Sequence, residues 1–178
     1  MCWRAQDELG FGPLYPAELL HLHSITILKE DFMPPKTTDP ALIHALLGEA
    51  VLARLATADP RTLQPHVVPV WFLWDGTSIW ISAFESTRKL KELLRNPRCA
   101  VLIEAKEPGK EPGKLEAVLM EGSAEVIETP RELVREKSIE IYTRYMGPQG
   151  VLGQEPQSWS RDPENRLVKL TPEMTRAW

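Results

Sequence analysis

The chain has 178 residues, 43% apolar and 26% charged, with a formal net charge of −4 and a pI near 5.6. That length suits one domain, taking about 150 residues per domain as a guide. Such a domain buries roughly 70% of the surface its unfolded chain exposes, so it needs no disulfides or structural metal to fold. The acidic balance, with no block of consecutive basic residues, argues against nucleic acid as a partner, and no run approaches the roughly 20 apolar residues of a membrane span.

Cysteine usage points the same way. Only Cys2 and Cys99 occur, with no Cys-x-x-Cys, and Cys99 sits in the apolar run Cys99-Ala100-Val101-Leu102-Ile103, where it reads as a small buried hydrophobe. This suits a reducing compartment. Arg4, Asp7 and Glu8 are followed by no long apolar core, which does not fit a secretory signal. The expected location is cytoplasmic.

In chain order, residues 1–38 read as an irregular N-terminal extension and residues 39–178 as the domain proper. The first stretch carries Pro13, Pro16, Pro34 and Pro35 with weak periodicity, and Met33 before Pro34-Pro35 would make a natural start. His21-x-His23 shares one strand face but has no third ligand at recognisable spacing, so no metal is expected. Asp39-Pro40 then supplies an N-cap and an N1 proline for a short helix over 41–47, with Gly48 near its stop. Strand-like runs follow at 51–57, 66–73 and 78–83. Asp59-Pro60-Arg61-Thr62 turns between the first two, and Asp75-Gly76 is a hairpin signal between the last two.

A helix is predicted over Thr87–Arg95, closed by Asn96-Pro97, with Leu90, Leu93 and Leu94 on one packing face. A strand over 99–104 leads into a charged loop where Glu-Pro-Gly-Lys occurs twice. The next strand, 116–128, carries Gly122 at its centre, which suggests a bulge or barrel corner. Pro130 opens a helix through Met146, stopped by Gly147-Pro148. A polar loop over 148–165 carries Trp159, and 166–170 is the last strand. The expected class is mainly β with helices (α+β): a six-stranded antiparallel split β-barrel with flanking helices.

One turn carries chemistry. The strand ending at Ala83 is followed by Phe84-Glu85-Ser86 and then by Thr87-Arg88-Lys89 at a helix start. Unsatisfied N–H groups there favour an anion, and Ser82, Ser86, Thr87, Arg88 and Lys89 add hydroxyls and two cations. Cations at a helix N-terminus oppose the macrodipole, and a bound phosphate would account for them. An ordinary N-cap beside two solvated basic residues is the alternative. There is no Gly-x-Ser-x-Gly, no Walker loop and no Gly-x-Gly-x-x-Gly.

The run from Leu55 to Ile103 resembles the core of the pyridoxamine 5'-phosphate oxidase-like, FMN-binding split barrel family. The resemblance rests on Leu55-Ala56-Thr57, on Pro65-His66-Val67-Val68-Pro69-Val70 and on the Asp75-Gly76 hairpin. Ile81-Ser82, Thr87-Arg88-Lys89 with Leu93, and Asn96-Pro97 complete it. It implies a flavin phosphate held by Ser82, Thr87, Arg88 and Lys89. It places the flavin ring along the second strand, against backbone groups of His66, Val68 and Val70 with Thr57 nearby. It also implies a homodimer with the flavin in the interface, and Trp71, Phe72, Trp74 and Trp80 are aromatic candidates for that contact. His66 is a candidate proton donor beside the ring, against a purely structural role in its strand.

The chain departs from the family in one respect that bears on substrate. The family's best-known members hold the flavin phosphate with an arginine and a lysine flanking the second strand, where this chain has His66 and a tryptophan or phenylalanine. Arg166-Leu167 and Pro172 resemble the substrate-binding tail, but Trp178 is reached without its later basic residues. Pyridoxamine phosphate is therefore not the expected substrate. The expectation is an FMN-dependent oxidoreductase acting on a small organic molecule. Its rivals are a deazaflavin-dependent reductase on the same fold and a non-catalytic flavin- or haem-binding barrel.

Overall fold

The structure, a computed structural model, describes residues 39–49, 51–106 and 114–178, all within the unit Pro35–Trp178. The expectations placed on residues 1–38, including His21 and His23, and on most of the tandem Glu-Pro-Gly-Lys loop lie outside the described residues. Helix α1 (Pro40–Gly48) starts as its sequence predicts, with the Asp39 carboxylate accepting from the Ala41 N–H at 2.8 Å. Strands β1 (Ala53–Ala58), β2 (Pro65–Val70), β3 (Leu73–Trp74) and β4 (Ile79–Phe84) follow, then α2 (Arg88–Leu93). The chain continues through β5 (Arg98–Glu104), β6 (Ala117–Ile127), α3 (Arg131–Gly150), α4 (Gln154–Arg161), β7 (Asn165–Leu170) and β8 (Met174–Ala177).

All pairings are antiparallel, in the order β2-β1-β5-β6-β7-β4-β3 with β8 also on β6. The first and last strands of that order, β2 and β3, are joined through Trp71 and Phe72 alone. Two residues span too little distance to cross an open sheet, so the sheet curls until its ends meet. This is an α+β split-barrel fold with four helices, as expected in class. The expected six strands are roughly the number found, eight among the described residues. The run 66–73 divides where Trp71-Phe72 turn the seam, and the C-terminal residues add β8. The loop over 148–165 is corrected, since it contains α4. Gly147 does leave helical geometry (φ 73°, ψ 170°), but a further turn runs to Gly150.

Gly122 sits where β6 changes neighbours. Residues 118–121 pair with β8 and residues 124–127 with β7. A Cβ at Gly122 would lie 3.2 Å from Glu173 N, Leu170 Cδ1 and Thr171 O. Glycine is favoured there because the chain crosses between sheet halves at close range.

Two apolar clusters result. Inside the curled sheet, Leu55, Val70, Phe72, Ile81, Val101 and Met120 pack with Leu46 and Leu47 of α1 and Leu90 and Leu93 of α2. On the outer face of β4 and β7, Trp80 and Leu167 are covered by Val134, Ile141 and Tyr142 of α3. Helix α3 also locks the seam. The Tyr145 hydroxyl accepts from Phe72 N–H at 3.2 Å and donates to Val51 O at 2.7 Å. Arg144 donates to Leu47 O at 2.7 Å, its guanidinium 4.3 Å above the Phe72 ring.

The aromatic residues expected at an interface are largely used within the chain. Phe72 is fully buried, Trp80 is 7% exposed, and Trp71 stacks on Tyr145 with centroids 5.0 Å apart. Their number is explained by two clusters rather than one, because the helix layer hides a second set of rings.

The loop before α2 is held by Arg166, itself 8% exposed. Arg166 donates to Glu85 at 2.5 Å, Glu128 at 3.1 Å and Pro163 O at 2.5 Å, while Glu85 N–H donates to Glu164 O. Replacing Arg166 by leucine leaves these acceptors without their donor. The two carboxylates can still reach water, so we expect a loss of about 2–3 kcal/mol, read as a lower urea midpoint.

Asp75 organises the β3–β4 turn. Its carboxylate accepts from Trp80 Nε1 at 2.6 Å, Ser78 N at 2.8 Å, and Thr77 N and Oγ1 at 2.9 Å, and Gly76 takes φ 99°. Partial burial opposes the charge, but these bonds outweigh it and pull the carboxyl from 3.8 to about 2. A carboxyl lowered on folding contributes stability above its unfolded pKa and loses it as pH falls through the folded one. Allowing for solvent screening of an exposed group, Asp75→Asn should cost roughly 1 kcal/mol at neutral pH. In paired denaturation curves the gap from wild type should close as pH drops from 3.8 towards 2.

Candidate functional site

Helix α2 is shorter than its sequence predicts, running over Arg88–Leu93 instead of Thr87–Arg95. Leu90 and Leu93 are buried as expected, but Leu94 is 56% exposed. The third inward position belongs to Glu92, a carboxylate only 5% exposed. Its Oε2 accepts from the Thr57 hydroxyl at 2.5 Å and lies 3.3 Å from His66 Nδ1, and its Oε1 accepts from Arg88 Nε at 2.8 Å. Burial disfavours this charge, yet the bonds from Thr57 and Arg88, with the neighbouring positive charge, hold the carboxyl below its ordinary range.

Three of the sequence-predicted residues, Thr57, His66 and Arg88, are thus brought together by a fourth that the sequence reading did not select. The signal was available: Glu92 is four residues after Arg88, the spacing of a helical ion pair, and it lies beside the apolar stripe. Thr57 and His66 meet because they are directly paired across β1 and β2.

Lys89 is half-buried on the same turn as Arg88. Burial lowers its pKa, and no carboxylate among the described residues pairs with it. Arg88 uses only Nε; its two terminal nitrogens have no protein partner among the described residues. Thr87 is the N-cap residue, with its hydroxyl donating to Phe84 O at 2.6 Å. Ser82 stands apart from this group. It faces α3, where its hydroxyl contacts Tyr142 Oη and donates to Asn165 Oδ1, each at 2.8 Å.

The backbone of β2 has a definite polarity. Asp59 N–H donates to Gln64 O, which makes Ala58–Pro65 a non-hydrogen-bonded pair. By alternation, His66, Val68 and Val70 exchange bonds with β1, while residues 65, 67 and 69 direct their backbone groups to the free edge. Pro65 and Pro69 have no N–H, so Val67 holds the one donor of that edge within β2. The N–H groups of His66, Val68 and Val70 are engaged in the ladder.

The outer face of β2, β1, β5, β6 and β8 carries no helix among the described residues. Val67, Ala56, Ala100 and Met174 cross it, between the ion pairs Arg54–Glu104 and Arg176–Glu121. The small Ala56, Ala58 and Ala100 floor a groove of about 540 Å³ edged by Arg98, Glu121 and Met174. Cys99 beside it is half-buried, and burial pushes its thiol up to about 11, so it stays protonated near neutrality. No group of three potential metal ligands occurs among the described residues, and no described helix is long and apolar enough to cross a membrane.

Comparison with known proteins agrees with this architecture. Among solved structures, the conserved hypothetical protein Rv2991 from Mycobacterium tuberculosis is 27% identical, with a TM-score of 0.66 over 80% of this chain and 85% of that one. An F420 reductase is 21% identical, with a TM-score of 0.57 over 74% and 94% of the two chains. The haem storage protein HutZ from Vibrio cholerae is 19% identical, with a TM-score of 0.58 over 76% and 90%. The last two likenesses are likenesses of fold. No curated protein matches. The family model described as Pyridoxamine 5'-phosphate oxidase matches residues 40–178, and the chain belongs to that family.

Proposed function

We propose that this protein is an FMN-dependent oxidoreductase acting on a small organic substrate as a homodimer, with the flavin phosphate seated on Arg88 and Lys89. The observation that carries this reading is Lys89. A half-buried ammonium with no carboxylate partner among the described residues loses hydration without compensation, and two cations in the first turn of α2 oppose its dipole. A bound phosphate recovers both costs, and the terminal nitrogens of Arg88, without a partner among the described residues, form a fork suited to it. Of the residues assigned to the cofactor, Thr57 and His66 stand with Arg88 around Glu92, while Val68 and Val70 have their N–H groups engaged in the ladder and Val70 is buried in the core. Thr87 and Ser82 have their hydroxyls engaged elsewhere, so the phosphate grip falls mainly on the two cations.

The flavin supplies the electron-transfer chemistry when bound, and the chain binds, orients and shields it. His66 is the titratable side chain of β2 and the candidate for holding a proton beside the ring. Pyridoxamine phosphate is disfavoured as substrate because Arg166, the match to the family's substrate-binding tail, is spent on Glu85 and Glu128. A deazaflavin is the second reading. It is favoured by His66 standing where the family's best-known members place a phosphate-binding arginine, and by the likeness to an F420 reductase.

The bare outer sheet face is the surface for the second copy, since it combines an apolar centre with paired charges at its margins. Val67 is 59% exposed there, so Val67→Glu should leave subunit stability within about 0.5 kcal/mol while converting a dimer to monomer in analytical ultracentrifugation. For the cofactor, we expect Lys89→Ala to weaken FMN binding roughly ten- to a hundredfold in a fluorescence titration. Unchanged affinity would remove Lys89 from the site. Parallel titration with FMN and a deazaflavin separates the two readings, and failure of both to bind at high micromolar concentration overturns them together.

A further inference from the structure

Glu92 sits under a site that otherwise gathers positive charge, against the polar groups that Thr57 and His66 turn towards α2. A buried ion pair is often replaceable by apolar residues without loss of stability, so stability of the fold alone does not account for a carboxylate at this position. We propose that Glu92 is the positioning residue of the cofactor site, fixing the tautomer of His66 and aiming the guanidinium of Arg88. The proposal rests on the reading of Arg88 and Lys89 as the phosphate seat.

The geometry dictates both effects. The bonds from Thr57 and Arg88 keep the carboxylate ionised near neutrality, and an ionised carboxylate only accepts hydrogen bonds. The His66 Nδ1 at 3.3 Å therefore carries the ring proton, and in the neutral ring Nε2 is the acceptor. The Thr57 hydroxyl works in the same sense, because with its proton given to Glu92 its oxygen can only accept from Nδ1–H. It stands 3.5 Å from Nδ1 and gives its proton to Glu92 at 2.5 Å. On the other side, Oε1 takes the Nε–H of Arg88 at 2.8 Å, which leaves the two terminal nitrogens for a ligand. One carboxylate thus ties β1, β2 and α2 into a fixed arrangement of a hydroxyl, an imidazole and a guanidinium.

The test uses the full-length protein with FMN and a deazaflavin as probes. Charge alone predicts that Glu92→Gln binds a phosphate more tightly, because a negative charge is removed. Positioning predicts the reverse, and we expect the dissociation constant for FMN to rise about tenfold. In the wild type without ligand, nitrogen NMR of the His66 ring at about pH 9 should find the proton on Nδ1, and in Glu92→Gln it should move towards Nε2. Equal or tighter FMN binding by the variant overturns the role of Glu92 while leaving the phosphate seat intact. A wild-type ring protonated on Nε2 overturns it as well, and this measurement requires no variant to fold. If the wild type binds neither FMN nor the deazaflavin, the phosphate seat itself falls and takes the positioning role with it.

Discussion

The two-residue link between β2 and β3 is the constraint on which the fold depends. It forces the two ends of a seven-strand path together, and the other elements can be understood as responses to that closure. Phe72 fills the interior at the seam. Tyr145 satisfies the backbone N–H that the turn leaves exposed, and Arg144 covers the Phe72 ring while ending α1. Helix α3 is therefore more than a cover for Trp80. Its residues 144 and 145 supply the polar partners that a seam in a sheet needs, and Trp71 is laid flat against Tyr145 in the process.

Closure also decides where charge can be kept. Along most of the sheet the interior is apolar, but at the end capped by α2 the pairing of Thr57 with His66 leaves polar groups facing the helix. Glu92 answers them. The arrangement is electrostatically economical, since one carboxylate takes three hydrogen-bonding partners while Lys89 has no carboxylate partner among the described residues. Charges balanced this closely among the described residues do not make a general basic patch. That fits a chain with net charge −4.

Much of this was legible in the sequence because local signals agreed with the final topology. Asp39-Pro40, Asp75-Gly76 and Gly122 each marked the feature the structure places there, and each works through backbone rules that do not depend on distant residues. The misreadings share a different cause. Residues 66–73 form one apolar run, and only the closing of the sheet breaks it at Trp71-Phe72. Ser82 looked like part of the turn that follows it, but strand alternation sends it to the opposite face, towards Tyr142 and Asn165. Glu92 was passed over because a carboxylate in a helix is ordinarily solvated, and its burial depends on β1 and β2 lying beneath it. The family pattern captured the order of the elements. It could not say which hydroxyls would already be engaged.

The prolines of β2 have a consequence for how this subunit can grow into anything larger. Edge strands are natural templates for further strands, and that route ends in fibres as readily as in functional complexes. Here two of the three groups that would donate along the edge are missing, and each absent bond withholds about 1 kcal/mol from an added strand. The exposed Val67 and Leu63 can therefore lie near this edge without seeding a continuous ladder. Hydrogen-bonded extension, which has no natural end, is thereby disfavoured along this edge.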